Sequence, residues 1–287
     1  MQETTNPNPE AAAHARAPAR KRIHRVAIAG LGLVGLEVAR HLDAGIPGMV
    51  LSAVGVRDQA KATGLLAGLK TMPVLADIDA LEPHADIVVE CAPAALLASA
   101  IEPFLRRGKK AIVLSAGALL SNPALIDLAD EHGGQILVPS GALLGLDAVS
   151  AAAEGTIHSV KMVTRKPTRG LMGAPYLADN NIRIDDIRQP LRVFSGTPRD
   201  AAIGFPANLN VAVALSLAGI GPDATTLEIW ADPALERNTH SIEVQADSAC
   251  FSMAIENIPS ANPKTGLITA LSVVAMLRRF ESPLRIG

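Results

Sequence analysis

The chain has 287 residues, half of them apolar, few of them aromatic, and a formal net charge of −2. That length suits two domains or one large one with aliphatic cores. The near-neutral balance excludes an electrostatic footprint for nucleic acid and a general pull toward anionic membranes, and no run of 18 uncharged apolar residues offers a membrane span.

Residues 1–21 are polar and rich in Pro, Asn, Ala and Arg, without the apolar core of a signal peptide, and read as a disordered tail. Residues 26–29 form a first apolar strand, and Leu36 to Leu42 lie in a first helix. Between them stands Gly30-Leu31-Gly32-Leu33-Val34-Gly35. In a strand–turn–helix setting this spacing cradles a pyrophosphate. The first glycine makes the turn, the second admits the phosphates, and the third lets helix and strand pack. Free N–H groups at the helix start favour the phosphate charge. Gly30, Gly32, Leu33, Val34 and Gly35 are therefore candidate cofactor residues; the plain alternative is a glycine turn that only aids packing.

Further along, 50–56 is a strand, 60–69 a helix, 72–74 a short extended piece and 87–90 a compact strand. Residues 94–107 form a helix that Gly108 ends. A strand at 111–115, a helix at 123–132 and a strand at 135–138 follow. Short apolar strands alternating with helices predict a doubly wound parallel sheet covered on both faces, a Rossmann-type domain over 22–140. The second strand ends Val56-Arg57-Asp58. Asp58 is placed to bind ribose hydroxyls and Arg57 to meet a 2′-phosphate, so NAD and NADP both stay open as cofactors. Cys91 and Ala92 follow the strand ending at Glu90, where loops line the crevice of such a sheet. Cys91 and Cys250 fit no metal spacing, and the expectation is two reduced thiols in a cytoplasmic protein without a bound metal.

The pattern changes beyond Ser140. Val160, Met162 and Thr164 alternate with Lys161, Val163 and Arg165, as in a half-buried strand. Residues 191–195 and 225–230 are also extended; 238–245 and 249–255 flank a hairpin turn at Ala246-Asp247-Ser248. Pro206 can occupy the first helical turn of a helix that continues through 208–218, and Gly219 caps it. Residues 141–261 thus predict a second, α+β domain with a largely antiparallel sheet. Asn262-Pro263 starts a last helix within 262–287, with Leu267, Leu271 and Val274 at helical spacing.

Five ordered blocks now stand out: Ser140-Gly141-Ala142-Leu143-Leu144-Gly145-Leu146-Asp147-Ala148, Thr164-Arg165-Lys166-Pro167, Phe205-Pro206-Ala207-Asn208-Leu209-Asn210-Val211-Ala212, Ala231-Asp232-Pro233 with Asn238-Thr239-His240, and Glu256-Asn257 to Asn262-Pro263. Together with the glycine fingerprint they resemble L-aspartate dehydrogenase over about residues 23–280. The resemblance implies reversible, NAD(P)-dependent oxidation of L-aspartate to iminoaspartate, which hydrolyses to oxaloacetate and ammonia. It implies that iminoaspartate can supply NAD biosynthesis, and that the second sheet helps form a homodimer while the last helix rejoins the Rossmann domain.

His240 matches the family's catalytic histidine; a histidine titrates in the range needed to take the substrate amine's proton. Its plain alternative is a packed strand histidine. The resemblance brings an asparagine of the third block to the nicotinamide end of the cofactor, Asn210 first and Asn208 second; simple helix capping is the alternative. Ala142 matches a cofactor contact. The substrate's two carboxylates call for cations, for which Arg165 and Lys166 stand nearby, planar pairing favouring the arginine. Two other readings stay open: an enzyme of homoserine-dehydrogenase-like or dihydrodipicolinate-reductase-like type, and a non-enzymatic NAD(P) sensor.

Overall fold

The computed structural model describes residues 22–206, 209–260 and 266–286. Six strands make a parallel sheet: β1 (His24–Ala29), β2 (Met49–Gly55), β3 (Val74–Ala76), β4 (Ile87–Glu90), β5 (Lys110–Val113) and β6 (Gln135–Leu137). Their order is β3-β2-β1-β4-β5-β6. The order reverses between β1 and β4, where a doubly wound sheet opens its crevice at the carboxyl ends of the strands. Connecting helices are α1 (Leu33–Gly45), α2 (Gln59–Leu66), α3 (Leu97–Leu105), α4 (Ala116–Leu119) and α5 (Ala124–His132). The apolar run of β1 is buried on both faces. Val26 and Ile28 enter one core with Val38 and Leu42 of α1, and Ala27 and Ala29 enter the other with Ile101 and Phe104 of α3. The two-residue period of a strand divides one run between two helical layers.

Beyond β6 come α6 (Leu146–Ala153), β7 (Ile157–Lys166), α7 (Thr168–Leu171), α8 (Pro175–Asp179), β8 (Leu191–Gly196), α9 (Pro198–Gly204), α10 (Asn210–Ala218), β9 (Thr226–Ala231), β10 (Thr239–Ala246) and β11 (Cys250–Glu256). The strands form a second sheet in the order β11-β10-β7-β9-β8. Only β7 and β9 run parallel; the other neighbours are antiparallel. Its inner face packs Val160, Met162, Ile229 and Ile242 against Val149 of α6, Ala201 of α9 and Val213 of α10. Among the described residues, no helix is long and apolar enough to cross a membrane.

The last helix, α11 (Ile268–Phe280), packs on the first sheet's α1 layer through Ala270, Val273, Val274 and Leu277. Burying each of the three larger side chains stabilises by about 1.5–3 kcal/mol, so the chain end is anchored there. The expected stripe differs: Leu267 and Leu271 are about half exposed, at 53% and 48%, and of the expected set only Val274 is buried. The packed face instead follows the i, i+3, i+4, i+7 spacing from Ala270, whose small side chain faces α1. The expected start at Asn262-Pro263 lies outside the described residues, as do the tail and Asn208. Pro206 is not in a helical turn of α10; it stands in the turn after α9, a helix not among the expected elements.

Candidate active site

The glycine loop is built for close approach. Gly30 has φ +94°, and a Cβ there would lie 2.8 Å from the Cys91 carbonyl oxygen. A Cβ on Gly35 would lie 2.2 Å from the Gly30 oxygen, which ties α1 tightly to the end of β1. Gly32 is different: nothing stands within 4 Å of its missing Cβ. The strand and helix therefore need glycine at Gly30 and Gly35, while the space above Gly32 is open. Gly32 caps α1 without a side-chain hydrogen bond, so the first-turn N–H groups have no side-chain cap there. These features fit a dinucleotide pyrophosphate.

Beside this loop a cavity of about 410 Å³ lies between the two sheets. Val34, Cys91, Ala92 and Ser115 wall it on the first sheet's side; Ala142, Lys166, Asn210, Asn238 and His240 wall it on the other; Thr269 of α11 closes one end. Glu90, fully buried at the end of β4, fixes the first wall. Its carboxylate accepts the Leu114 and Ser115 N–H groups at 3.2 and 2.9 Å and the Ser115 hydroxyl at 3.0 Å. Burial pushes this carboxyl up from its ordinary range, against those bonds. Burial and the neighbouring Glu90 charge also push the Cys91 thiol up, so it stays protonated and is a poor nucleophile.

His240 sits on β10 directly opposite Thr164 of β7. Both are buried, and the Thr164 hydroxyl lies 3.0 Å from His240 Nδ1. That bond fixes the ring; with the hydroxyl accepting from Nδ1–H, Nε2 is left as the basic nitrogen. Burial first, and the charge of buried Lys166 second, push the His240 pKa down to about 3. The imidazole is therefore neutral across the physiological range.

Of the two cations expected at the substrate, the structure brings only Lys166 to the cavity. Arg165 turns to the outer face of the sheet, because successive strand residues point to opposite faces. There its guanidinium lies 5.1 Å over the Trp230 ring, and Nη1 lies 3.8 Å from Asp232 Oδ2. Asp58 stands after the carboxyl end of β2, but its Oδ1 accepts the Lys61 N–H at 2.9 Å and caps α2. Arg57 beside it is exposed, and neither lines the cavity. Leu33 is half exposed at the start of α1. Asn210 does line the cavity, and its Oδ1 accepts the Gly117 N–H at 3.1 Å, joining the two walls. The Ala142 carbonyl accepts from Asn257 Nδ2 at 3.0 Å. Thr164, Glu90 and Asn257 were not singled out as site residues from sequence; the alternation along β7 had already put Thr164 on the inner face.

Sheet order, glycine loop and cleft define a two-sheet protein with a dinucleotide-binding domain. Residues 30–139 match the family model described as homoserine dehydrogenase, NAD binding domain, and residues 147–280 match aspartate dehydrogenase, C-terminal. An L-aspartate dehydrogenase from Bradyrhizobium diazoefficiens is 62% identical over 263 residues, spanning 92% of this chain and 94% of that protein. An L-aspartate dehydrogenase 3 from Bordetella bronchiseptica is 59% identical, over 91% of this chain and 97% of that one. The crystal structure of an aspartate dehydrogenase from Thermotoga maritima shares the fold, with a TM-score of 0.71 at 23% identity over 92% of this chain and 99% of that chain. This chain belongs to the L-aspartate dehydrogenase family.

Proposed function

We propose that the chain oxidises the amine of L-aspartate with a nicotinamide dinucleotide, giving iminoaspartate and then oxaloacetate and ammonia, and runs the reverse reductive amination. The observation that carries this is the placement of neutral His240 and buried Lys166 in one cavity beside the glycine loop. Gly30, Gly32, Val34 and the first-turn N–H groups of α1 hold the dinucleotide, with Ala142 and Asn210 toward its nicotinamide end. When bound, the dinucleotide supplies the hydride acceptor. Lys166 receives a substrate carboxylate. His240 Nε2 takes the ammonium proton, because hydride leaves the α-carbon best when the nitrogen is neutral; once that proton has passed to solvent, the same nitrogen takes a proton from the water that attacks the imine. A histidine held near 3 is a weak base. Burial is the larger cause of this and the Lys166 charge the smaller; pairing of a substrate carboxylate with Lys166 offsets the smaller one and so shifts His240 upward. The iminoaspartate formed is a suitable precursor for NAD biosynthesis.

Exposed Arg57 next to Asp58 supports use of both NAD and NADP, the first through the carboxylate and the second through the guanidinium. Absorbance at the reduced-nicotinamide band, with L-aspartate and homoserine offered in turn with NAD(P) and dihydrodipicolinate with NAD(P)H, tests the reading. Turnover confined to L-aspartate is expected. Turnover of either of the others in its place would move the chain to a different chemistry, and binding of NAD(P) with no turnover at all would make it a sensor.

A further inference from the structure

L-Aspartate brings an ammonium with three N–H donors into this cavity, and His240 Nε2 can receive only one of them. The described lining residues include no aspartate or glutamate; the charged side chain among them is Lys166. The amine end must therefore be received by neutral acceptors. Two buried side-chain oxygens in the described structure have no hydrogen-bond partner, Asn238 Oδ1 and Asn257 Oδ1. A buried polar atom without a partner is uncommon and calls for a physical reason. Asn257 is spent on structure: its Nδ2 holds the Ala142 carbonyl, and Gly266 packs on it so closely that a Cβ there would lie 3.1 Å from Oδ1. Asn238 lines the cavity; its Oδ1 is closed off on the Gly170 side, 3.6 Å from where a Cβ there would lie, and a turn of the carboxamide would present it to a ligand.

Asn238 also stands in register with the base. Its carbonyl accepts the Asn257 N–H at 2.8 Å, which extends the β10–β11 ladder by one residue beyond the Thr239–Glu256 pair. Asn238 and His240 are thus two residues apart on extended chain and face the same way, about 7 Å apart along the strand. One tetrahedral nitrogen hydrogen-bonded to both side chains needs acceptors roughly 4.5–5 Å apart, so the two side chains must lean toward each other.

We propose that Asn238 Oδ1 is the acceptor that receives the substrate amine beside His240, and that it forms the ammonia subsite in the reverse direction. This deepens the aspartate reading and rests on it. A neutral acceptor holds the nitrogen without stabilising its positive charge as a carboxylate would, which favours loss of the proton to His240. It also selects an amine over a bare carbonyl, since an amine fills the orphan acceptor and a carbonyl oxygen cannot.

The test is reductive amination of oxaloacetate, with ammonia, oxaloacetate and NADH varied separately. Asn238→Ala is expected to raise the KM for ammonia about 10- to 100-fold, the range for a lost hydrogen bond to a charged group. The KM for oxaloacetate and the Kd for NADH, read by fluorescence titration, stay within about threefold on the same reasoning. Asn238→Asp keeps an acceptor oxygen and is expected to recover most of the ammonia KM while lowering kcat for L-aspartate oxidation, because its charge holds the ammonium proton. If Asn238→Ala does not fold, Asn238→Ser makes the same truncation. An unchanged ammonia KM, or an oxaloacetate KM that rises as much, overturns the subsite while leaving the aspartate reading standing. A wild-type protein that binds NADH yet turns over neither oxaloacetate with ammonia nor L-aspartate overturns the aspartate reading, and the subsite with it.

Discussion

His240 is neutral because it is buried beside a buried lysine, and this has a consequence for stability. An unfolded histidine titrates near 6.5, while folded His240 is held near 3. Between these values the unfolded chain binds the extra proton, so stability rises with pH. The contribution is present in full above about pH 6.5 and is lost as pH falls toward 3. For this one group the loss from pH 6.5 to pH 5 is about 1.5 kcal/mol. His240→Asn, which cannot titrate, is expected to show that much less acid destabilisation in urea melts at the two pH values; parallel losses in both proteins would mean that His240 is not the group responsible. At this scale the sequence was readable but was partly misread. The alternation Val160-Met162-Thr164 against Lys161-Val163-Arg165 already assigns Lys166 to the inner face and Arg165 to the outer. The chemical preference of a carboxylate for a planar guanidinium set that geometry aside, and the structure restores it. Thr164 as the partner of His240 depends on the β7–β10 register, a pairing between residues 76 apart that no local pattern states.

The βα element at the start of the chain separates two jobs that one glycine motif does at once. Gly35→Ala puts a Cβ 2.2 Å from the Gly30 backbone oxygen, which cannot move aside as a side chain could, and must push α1 off β1. Overpacking of this kind costs about 1–3 kcal/mol or more, so a lowered melting temperature is expected with or without cofactor. Gly32→Val meets nothing within 4 Å and should fold with a near wild-type melting curve, yet weaken NAD binding at least about 10-fold by filling the space above the loop. Equal melting temperatures for the two variants would contradict the division of roles; unchanged NAD affinity in Gly32→Val, by calorimetric titration, would mean that the loop does not hold the cofactor. At the end of β2 the same logic applies to cofactor choice. Arg57→Ala should lower kcat/KM for NADP more than for NAD, because only NADP carries the extra phosphate, and a fixed ratio would show that Arg57 does not read it. The parallel strands were legible as short apolar runs, and their observed ends fall within a residue or two of the expected ones. Asp58 carries two signals at once, the acid expected at a ribose and the N-cap that Asp58-Gln59-Ala60-Lys61 spells, and the N-cap forms. Thr197-Pro198-Arg199-Asp200 spells a full capping box, which starts α9.

In the whole molecule, chemistry depends on two sheets and a returning helix that meet at one cleft. Asn210 on α10 accepts from Gly117 beyond β5, and the Gly141 N–H donates to Ser272 of α11 at 3.1 Å, so the cleft is tied from both sides. The division into a parallel and a largely antiparallel half was readable from strand periodicity, because one sheet is buried on both faces and the other on one. The packed face of α11 was not, because Leu267 and Leu271 have the right spacing and the wrong side; only the core around Val273 and Leu277 decides between two apolar stripes. The central claim is that His240 moves the proton of the substrate amine in this cleft. The most direct measurement is the steady-state rate of L-aspartate-dependent NAD reduction by wild-type protein and by His240→Ala, at saturating cofactor, with NAD binding and a melting curve taken on the same samples. A folded, NAD-binding His240→Ala protein whose kcat has fallen about 10²- to 10⁴-fold is the predicted result. A folded, NAD-binding variant with near wild-type kcat would contradict it and leave His240 as a packed strand residue.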